Sequence, residues 1–448
     1  MQKRTGLLLG GFAVVCLMCT MVRGAAAEML FDQQHYRDLV DASSSQTIPP
    51  GTKITLQNWR QYKNFMPIWL QAAYSGDYHW HIGPGSEFTI VVGPTSNFPL
   101  PRKFLEDTEK YHNQVGLEKL SDGGYTIKGY TAGVPFPNPT EPLMGVKVMY
   151  DAWLPWRPAV SRYYTWDRIV DRFGNVSPED TDDTFYMMAY LSDEGYPTTT
   201  PYGSDYFQAG HYFVAAPEQS KYTTELQLQP KDPTKLQELY AFLPSLRRSL
   251  RLSSAARCTP LLGTDYIADD GSWLPPNFSA TYLGSKKLLT IVMDPQKSPD
   301  PKSYTGGGAY PGDAFPGWPT AGTNHWEVRD YYVIDLLALP KLGNYCYSHR
   351  AFYVEKQTYY AAMAGAEAYD RTGKLYKMLW TANYPVDIHG VTTIYAYGTG
   401  MSMAVDFQNQ HITWNNDTHV LIDGEAPAEV LEKVGKLKGV RQASALRF

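Results

Sequence analysis

From residue 185 onward the chain falls into strand-length apolar runs separated by turn residues, and no other feature restricts its fold as much. Glu225-Leu226-Gln227-Leu228-Gln229 alternates strictly before Pro230. Runs over 185–191, 212–216, 239–243, 250–252, 288–293, 326–334 and 351–354 read as further strands, as do 360–369, 375–381, 391–397 and 401–407. Successive side chains of a strand point to opposite faces, so polar residues at alternate positions indicate strands with one wet face, as in antiparallel sheets. Turn chemistry agrees. Pro244-Ser245 joins 239–243 to 250–252, and Asp370-Arg371-Thr372-Gly373 and Gln408-Asn409-Gln410 each close a hairpin. Residues 146–153 are expected as a strand with apolar residues on both sides, and 88–92 as a short one. Helical patterning is seen over 29–42, weakly over 52–72, and over 426–438 as a short helix or tail, with Pro-rich 134–139 as a rigid connector. The 34 Tyr and 11 Trp suit sheets and large cavities, since their rings bury much area and keep a polar tip.

The N-terminus bears on the compartment. Lys3 and Arg4 precede an apolar stretch over 7–22, about 16 residues where a bilayer span needs roughly 20. Ala25-Ala26-Ala27 then supplies the small-x-small pattern of signal-peptidase cleavage. Residues 1–27 are expected to be a signal peptide, cut after Ala27, that sends the mature chain to the periplasm, with outer-membrane association as a variant. Cys16 and Cys19 follow Val15 and Met18, residues too large for a lipoprotein cleavage motif. The full chain holds 40 Lys+Arg against 45 Asp+Glu; cleavage removes three bases and no acid, leaving a formal charge of −8. That balance argues against a nucleic-acid partner. No later segment offers 18 consecutive apolar residues, so a soluble mature chain is expected. Cys258 and Cys346 remain, and an oxidising compartment favours a disulfide between them, with two buried free thiols as the alternative.

Motifs that carry chemistry are weak. His79-Trp80-His81 would place two histidines on one face of a strand, but no third or fourth ligand completes a metal site, and two surface histidines are the simpler reading. Gly400-Met401-Ser402-Met403-Ala404 departs from a nucleophile elbow in its last residue and in its β-hairpin setting. Glu179, Asp180, Asp182 and Asp183 lack the spacing of a calcium loop and read as a solvated loop. No phosphate-cradling glycine motif occurs: Gly306-Gly307-Gly308 has no following Lys-Ser or Lys-Thr. No catalytic residue, metal or cofactor is therefore expected.

One segment is recognisable. Residues 239–254 run aromatic-Leu-Pro (Phe242-Leu243-Pro244) into a basic stretch (Arg247, Arg248, Arg251), then Gly263-Thr264-Asp265-Tyr266 and Asp269-Asp270 follow. With Gly133-Val134-Pro135-Phe136-Pro137-Asn138-Pro139 and Asn344-Tyr345-Cys346-Tyr347-Ser348-His349-Arg350, this resembles the large domain-of-unknown-function branch of the LolA/LolB-like superfamily of outer-membrane lipoprotein-sorting proteins. The resemblance implies a curved antiparallel half-open β-barrel with a few helices and long loops, holding a hydrophobic ligand. It also implies an inner-membrane pump and an outer-membrane channel as partners. It is weakest before Val134, and the chain is longer than the sorting carriers.

The expected organisation is a signal peptide (1–27), an N-terminal mixed region packing on the barrel (28–133), the half-barrel (134–425) and a C-terminal helix or tail (426–448). Leu239, Phe242, Leu250, Leu252 and Trp153 are the candidate cavity wall. Arg247, Arg248 and Arg251 are candidates for an acidic head group at the rim, against the plainer reading of a strand's wet face. Asp265 and Asp269 are placed in the loop. The Pro- and Gly-rich stretch 294–323 is a candidate lid. The function expected is binding or shuttling a lipid or other hydrophobic molecule. The alternatives are a ligand-free outer-membrane assembly factor and an envelope hydrolase.

Overall fold

The computed structural model describes residues 29–75, 89–201, 203–252, 257–261, 263–293, 324–361, 363–383, 386–388, 391–393 and 400–422. The signal-peptide segment, His79 to His81, the stretch 294–323 and the tail 426–448 lie outside the described residues.

Thirteen antiparallel strands form one sheet. In chain order they are β1 (Val160–Val170), β2 (Val176–Met187), β3 (Tyr206–Ala216), β4 (Thr224–Pro230), β5 (Glu238–Leu243), β6 (Arg248–Leu252) and β7 (Phe278–Met293). They continue as β8 (Asn324–Ala338), β9 (His349–Glu355), β10 (Ala366–Tyr369), β11 (Leu375–Asn383), β12 (Gly400–Asp406) and β13 (His411–Ile422). Their spatial order is β6-β5-β4-β3-β2-β1-β13-β12-β11-β10-β9-β8-β7. Two meanders are thus welded by a single non-sequential pairing, β1 with β13, where Val170 faces Ile412 and Ser161 faces Ile422. The sheet does not close: β6 and β7, neighbours in sequence, are its two edges. The architecture is the mainly β, half-open barrel the sequence implies.

Residues 144–153 overturn one expectation. They form helix α4 (Met144–Trp153), not a strand. Val146, Val148, Met149, Tyr150, Ala152 and Trp153 are all buried in it. Apolar residues on both sides of a short run do not separate a buried strand from a buried helix by periodicity, and here burial decides. Gly145 lets the helix close on the sheet: a Cβ there would stand 2.5 Å from the Ala280 carbonyl oxygen of β7. The described residues of 360–365 are likewise not strand; within the expected run only Ala366–Tyr369 pairs.

The buried apolar residues form two clusters. In one, α4 packs with Tyr332, Ile334 and Phe352. In the other, Met403, Val405, Ile412 and Trp414 meet Trp59, Trp69 and Ile90. The described residues of 29–100, which precede α3 (Arg102–Tyr111), contain little regular structure beyond α1 (Gln33–Arg37) and α2 (Ile68–Ser75). Buried charges on the sheet hold them in place. Lys286, 4% exposed, donates to the Arg37 carbonyl at 2.9 Å, the Leu39 carbonyl at 3.0 Å and Asp41 at 2.7 Å. Arg329 spans Glu327 at 2.5 Å and Glu355 at 3.2 Å and donates to the Ser96 carbonyl at 2.9 Å.

Glu367 is the third such anchor. Its carboxylate accepts from the Tyr36 hydroxyl (2.8 Å), the Trp69 backbone N–H (2.9 Å), the Tyr353 hydroxyl (3.0 Å) and the Tyr369 hydroxyl (3.3 Å). Burial lifts its pKa to about 7 despite these bonds. The folded state therefore holds the proton more tightly than the unfolded chain. The stabilisation this gives is full below pH ~4, where the unfolded chain also protonates, and fades as pH rises through about 7. From pH 5 to pH 8, urea unfolding should shift in favour of Glu367→Gln over wild type by about 2 kcal/mol. A difference that does not change with pH would contradict this assignment.

Candidate functional site

A cavity of about 350 Å³ lies against the sheet on the α4 side. That is near the lower end of the roughly 300–1,000 Å³ usual for small-molecule pockets. One wall comes from alternate residues of β1 to β4. Tyr163, Thr165 and Asp167 of β1 stand opposite Asp183, Thr181 and Glu179 of β2. Asp183 in turn faces Tyr212 of β3, which faces Glu225 of β4. A row Tyr163–Asp183–Tyr212–Glu225 thus crosses four strands, because a common pleat sends paired residues to one side. Phe185 stacks on Tyr163 with ring centroids 5.7 Å apart and meets Tyr212 edge-on at 5.5 Å. Its ring occupies the space that Gly210 leaves: a Cβ on Gly210 would approach it to 2.9 Å.

The facing wall is more apolar and comes from parts of the chain far away in sequence: Trp273, Phe352, Tyr360, Met363, Ala366 and Leu379. The segment between β6 and β7 runs from one edge of the sheet to the other and contributes Leu261, Thr264, Tyr266 and Asp270 to the lining. Three attachments fix it. Cys258 is disulfide-bonded to Cys346, with Cα atoms 5.7 Å apart. Asp265 accepts from His411 Nδ1 at 2.7 Å and the Thr413 hydroxyl at 2.8 Å, both on β13, while its carbonyl accepts from Lys377 Nζ at 2.6 Å. The hydrogen bond to Asp265 raises the His411 pKa. Arg350 of β9 donates to the Asp269 carbonyl at 3.1 Å and to Asp270 Oδ1 at 3.3 Å. Asp270 also accepts the Ile267 N–H at 2.9 Å, at the start of α5 (Ala268–Ser272). Burial raises the pKa of both Asp269 and Asp270, and Arg350 counters it.

The polar wall is acidic. Glu179 makes no hydrogen bond or ion pair among the described residues, and burial, with Asp180 next to it, raises its pKa to about 7. Glu225, 9% exposed, accepts one bond from Gln227 at 2.7 Å, and burial raises its pKa as well. Asp183 accepts from the Thr165 and Thr181 hydroxyls at 3.2 and 2.9 Å. A hydrogen-bonded chain links the walls: Tyr266 donates to Ser402 (3.2 Å), Ser402 to Asn415 (3.2 Å), and Asn415 to Asp167. Ser402 therefore faces a phenol and an amide, neither of which can take its proton, whereas nucleophilic catalysis at serine needs an adjacent base. Among the described residues no group of three or more His, Cys, Asp or Glu is arranged to hold a metal.

The residues singled out in the sequence are distributed unevenly. Asp265, Asp269, Cys258 and Cys346 converge beside the cavity, and the 263–270 and 344–350 motifs meet there through Arg350. Leu239 is buried but outside the lining, and Phe242 and Leu250 are half-buried near the β6 edge, also outside it. Trp153 is a core residue of α4, with its ring edge-on to Phe207 at 5.1 Å. Arg247 is exposed in the turn, in a left-handed conformation. Arg251 is exposed and lies 4.0 Å from Glu238. The side chains of Arg248 and Leu252 are outside the described set. The acidic run 179–183 is not a loop but the middle of β2, with Glu179, Thr181 and Asp183 turned to the cavity. In β4 both faces are buried, where alternation suggested one wet face.

No curated protein matches the chain. Among solved structures it is similar to a DUF1329 family protein from Desulfovibrio piger, at 14% identity over 63% of this chain and 94% of that one, TM-score 0.44. It is also similar to an outer membrane lipoprotein-sorting protein domain from Vibrio parahaemolyticus, at 16% identity over 65% and 97%, TM-score 0.43. A LolA superfamily protein from Nitrosomonas europaea is similar at 11% identity over 64% and 96%, TM-score 0.37. The profile of the family described as "Protein of unknown function (DUF1329)" matches residues 53–421, most of the chain, and the chain belongs to that family.

Proposed function

We propose that this protein binds one lipid-like molecule in the cavity between the sheet and the crossing segment, carries it through the periplasm, and catalyses no reaction. The observation that supports this is the cavity, whose apolar wall of Trp273, Phe352, Met363 and Leu379 suits an alkyl or polycyclic body. Each buried methylene contributes about 0.8 kcal/mol, so a ten-carbon chain gains about 8 kcal/mol before the cost of association. No described helix is long and apolar enough to cross a membrane. An inner-membrane pump and an outer-membrane channel are the partners such a carrier would serve.

A cavity-filling variant tests the reading. Ala361 lines the cavity and is only half-buried, so Ala361→Trp can fill space without overpacking the sheet. A fluorescent apolar probe should bind wild type near one per chain and bind the variant at least tenfold more weakly. Equal binding, or none to either, would reject the cavity as the site.

A further inference from the structure

The cavity's polar wall has the wrong sign for a fatty acid or a phosphate-headed lipid. Five carboxylates line it: Asp167, Glu179, Asp183, Glu225 and Asp270. Two guanidiniums do, Arg157 and Arg350, and Arg350 is committed to Asp270 at 3.3 Å. Among the described residues the lining thus holds more carboxylates than guanidiniums. Most telling is Glu225, more than nine-tenths buried. Among the described residues its Oε1 accepts from Gln227, its Oε2 accepts nothing, and no Lys, Arg or His pairs with it. Glu179, on the same wall, has no partner of any kind among the described residues. A buried carboxylate is costly unless paired, so an open one facing a cavity is a place where a cationic guest would gain. Aromatic rings stand beside these acids. Tyr212 is paired across the strands with both Asp183 and Glu225, Phe185 meets it edge-on, and Tyr163 stacks on Phe185 and is paired with Asp183. Ring faces attract ammonium groups, and more strongly where water is excluded.

We propose that the ligand is a cationic amphiphile, its ammonium-type group held at the Glu179–Glu225 wall among Tyr163, Phe185 and Tyr212, and its apolar body against Trp273, Phe352 and Leu379. This rests on the reading of the cavity as an amphiphile site and adds the sign of the head group. The rim arginines of the sequence motif do not enter it.

Calorimetric titration of the full mature chain at pH 8, with decylammonium, decanol and decanoate below their micelle concentrations, tests the head group apart from the tail. Decylammonium should bind at least tenfold more tightly than decanol, and decanoate most weakly. In Glu179→Gln/Glu225→Gln, a near-isosteric change, the preference for decylammonium over decanol should fall to less than threefold while decanol binding is retained. Decanol binding with no preference for the ammonium, or a preference for decanoate, would overturn this proposal and leave the cavity reading intact. Failure of all three to bind would overturn both. The wild-type comparison decides the matter even if the double variant does not fold.

Discussion

Arg350→Ala should destabilise the fold by about 3–5 kcal/mol, among the largest effects of any single substitution in this chain. Arg350 is 1% exposed. Its guanidinium donates to Asp270, the Asp269 carbonyl and, at 3.4 Å, the Tyr345 hydroxyl. It also lies over the rings of Tyr347 and Phe352, at 5.4 and 5.0 Å from their centroids. Removing it strands Asp270, which burial already pushes toward the neutral acid. The cost comes from an uncompensated buried charge and not from the net worth of the pair. Arg350→Met combined with Asp270→Leu should therefore be less damaging than Arg350→Ala alone. Urea unfolding of both variants checks this. A loss below about 1 kcal/mol for Arg350→Ala would mean the crossing segment is held elsewhere.

Replacing Cys258 and Cys346 together by serine should cost about 4–5 kcal/mol. The bond closes a loop of 88 residues, and chain-entropy treatment assigns about that much to a loop of this length. It ties the crossing segment to the turn before β9, so local loosening should accompany the global loss. Hydrogen exchange should speed up across 257–273 before it does in β11 to β13, whose ladders do not depend on the bond. Equal stability of the variant and the oxidised wild type would show that Arg350 and Asp265 hold the segment unaided.

Much of the fold is legible in the sequence where local chemistry sets it. The β5–β6 hairpin pairs Leu243 with Arg248 across the Pro244 turn, and the 370–373 and 408–410 turns sit where their Asp, Gly and Asn residues direct. The β1–β2 hairpin escaped notice because its inward face is polar. Hydropathy reads Glu179, Thr181 and Asp183 as facing water and cannot tell solvent from the polar wall of a cavity. Helix α4 escaped because it is buried nearly all round and has no wet stripe to give it a period. The cavity was out of reach for a third reason. Its walls come from β1–β4, β9–β13 and a segment spanning the two sheet edges, so it exists only once β1 has paired with β13. The motifs 263–270 and 344–350 border the cavity: Thr264, Tyr266, Asp270 and Arg350 line it, while Asp265 is bonded to β13 and Asp269 to Arg350.

The central claim is that the cavity holds an amphiphilic guest. The most direct measurement is mass spectrometry of an organic extract of the mature protein purified from a bacterial periplasm without detergent. The account predicts one dominant amphiphile near one per chain in wild type, and its depletion in Ala361→Trp. An extract free of such a species, from a protein that also fails to take up an apolar probe, would contradict it.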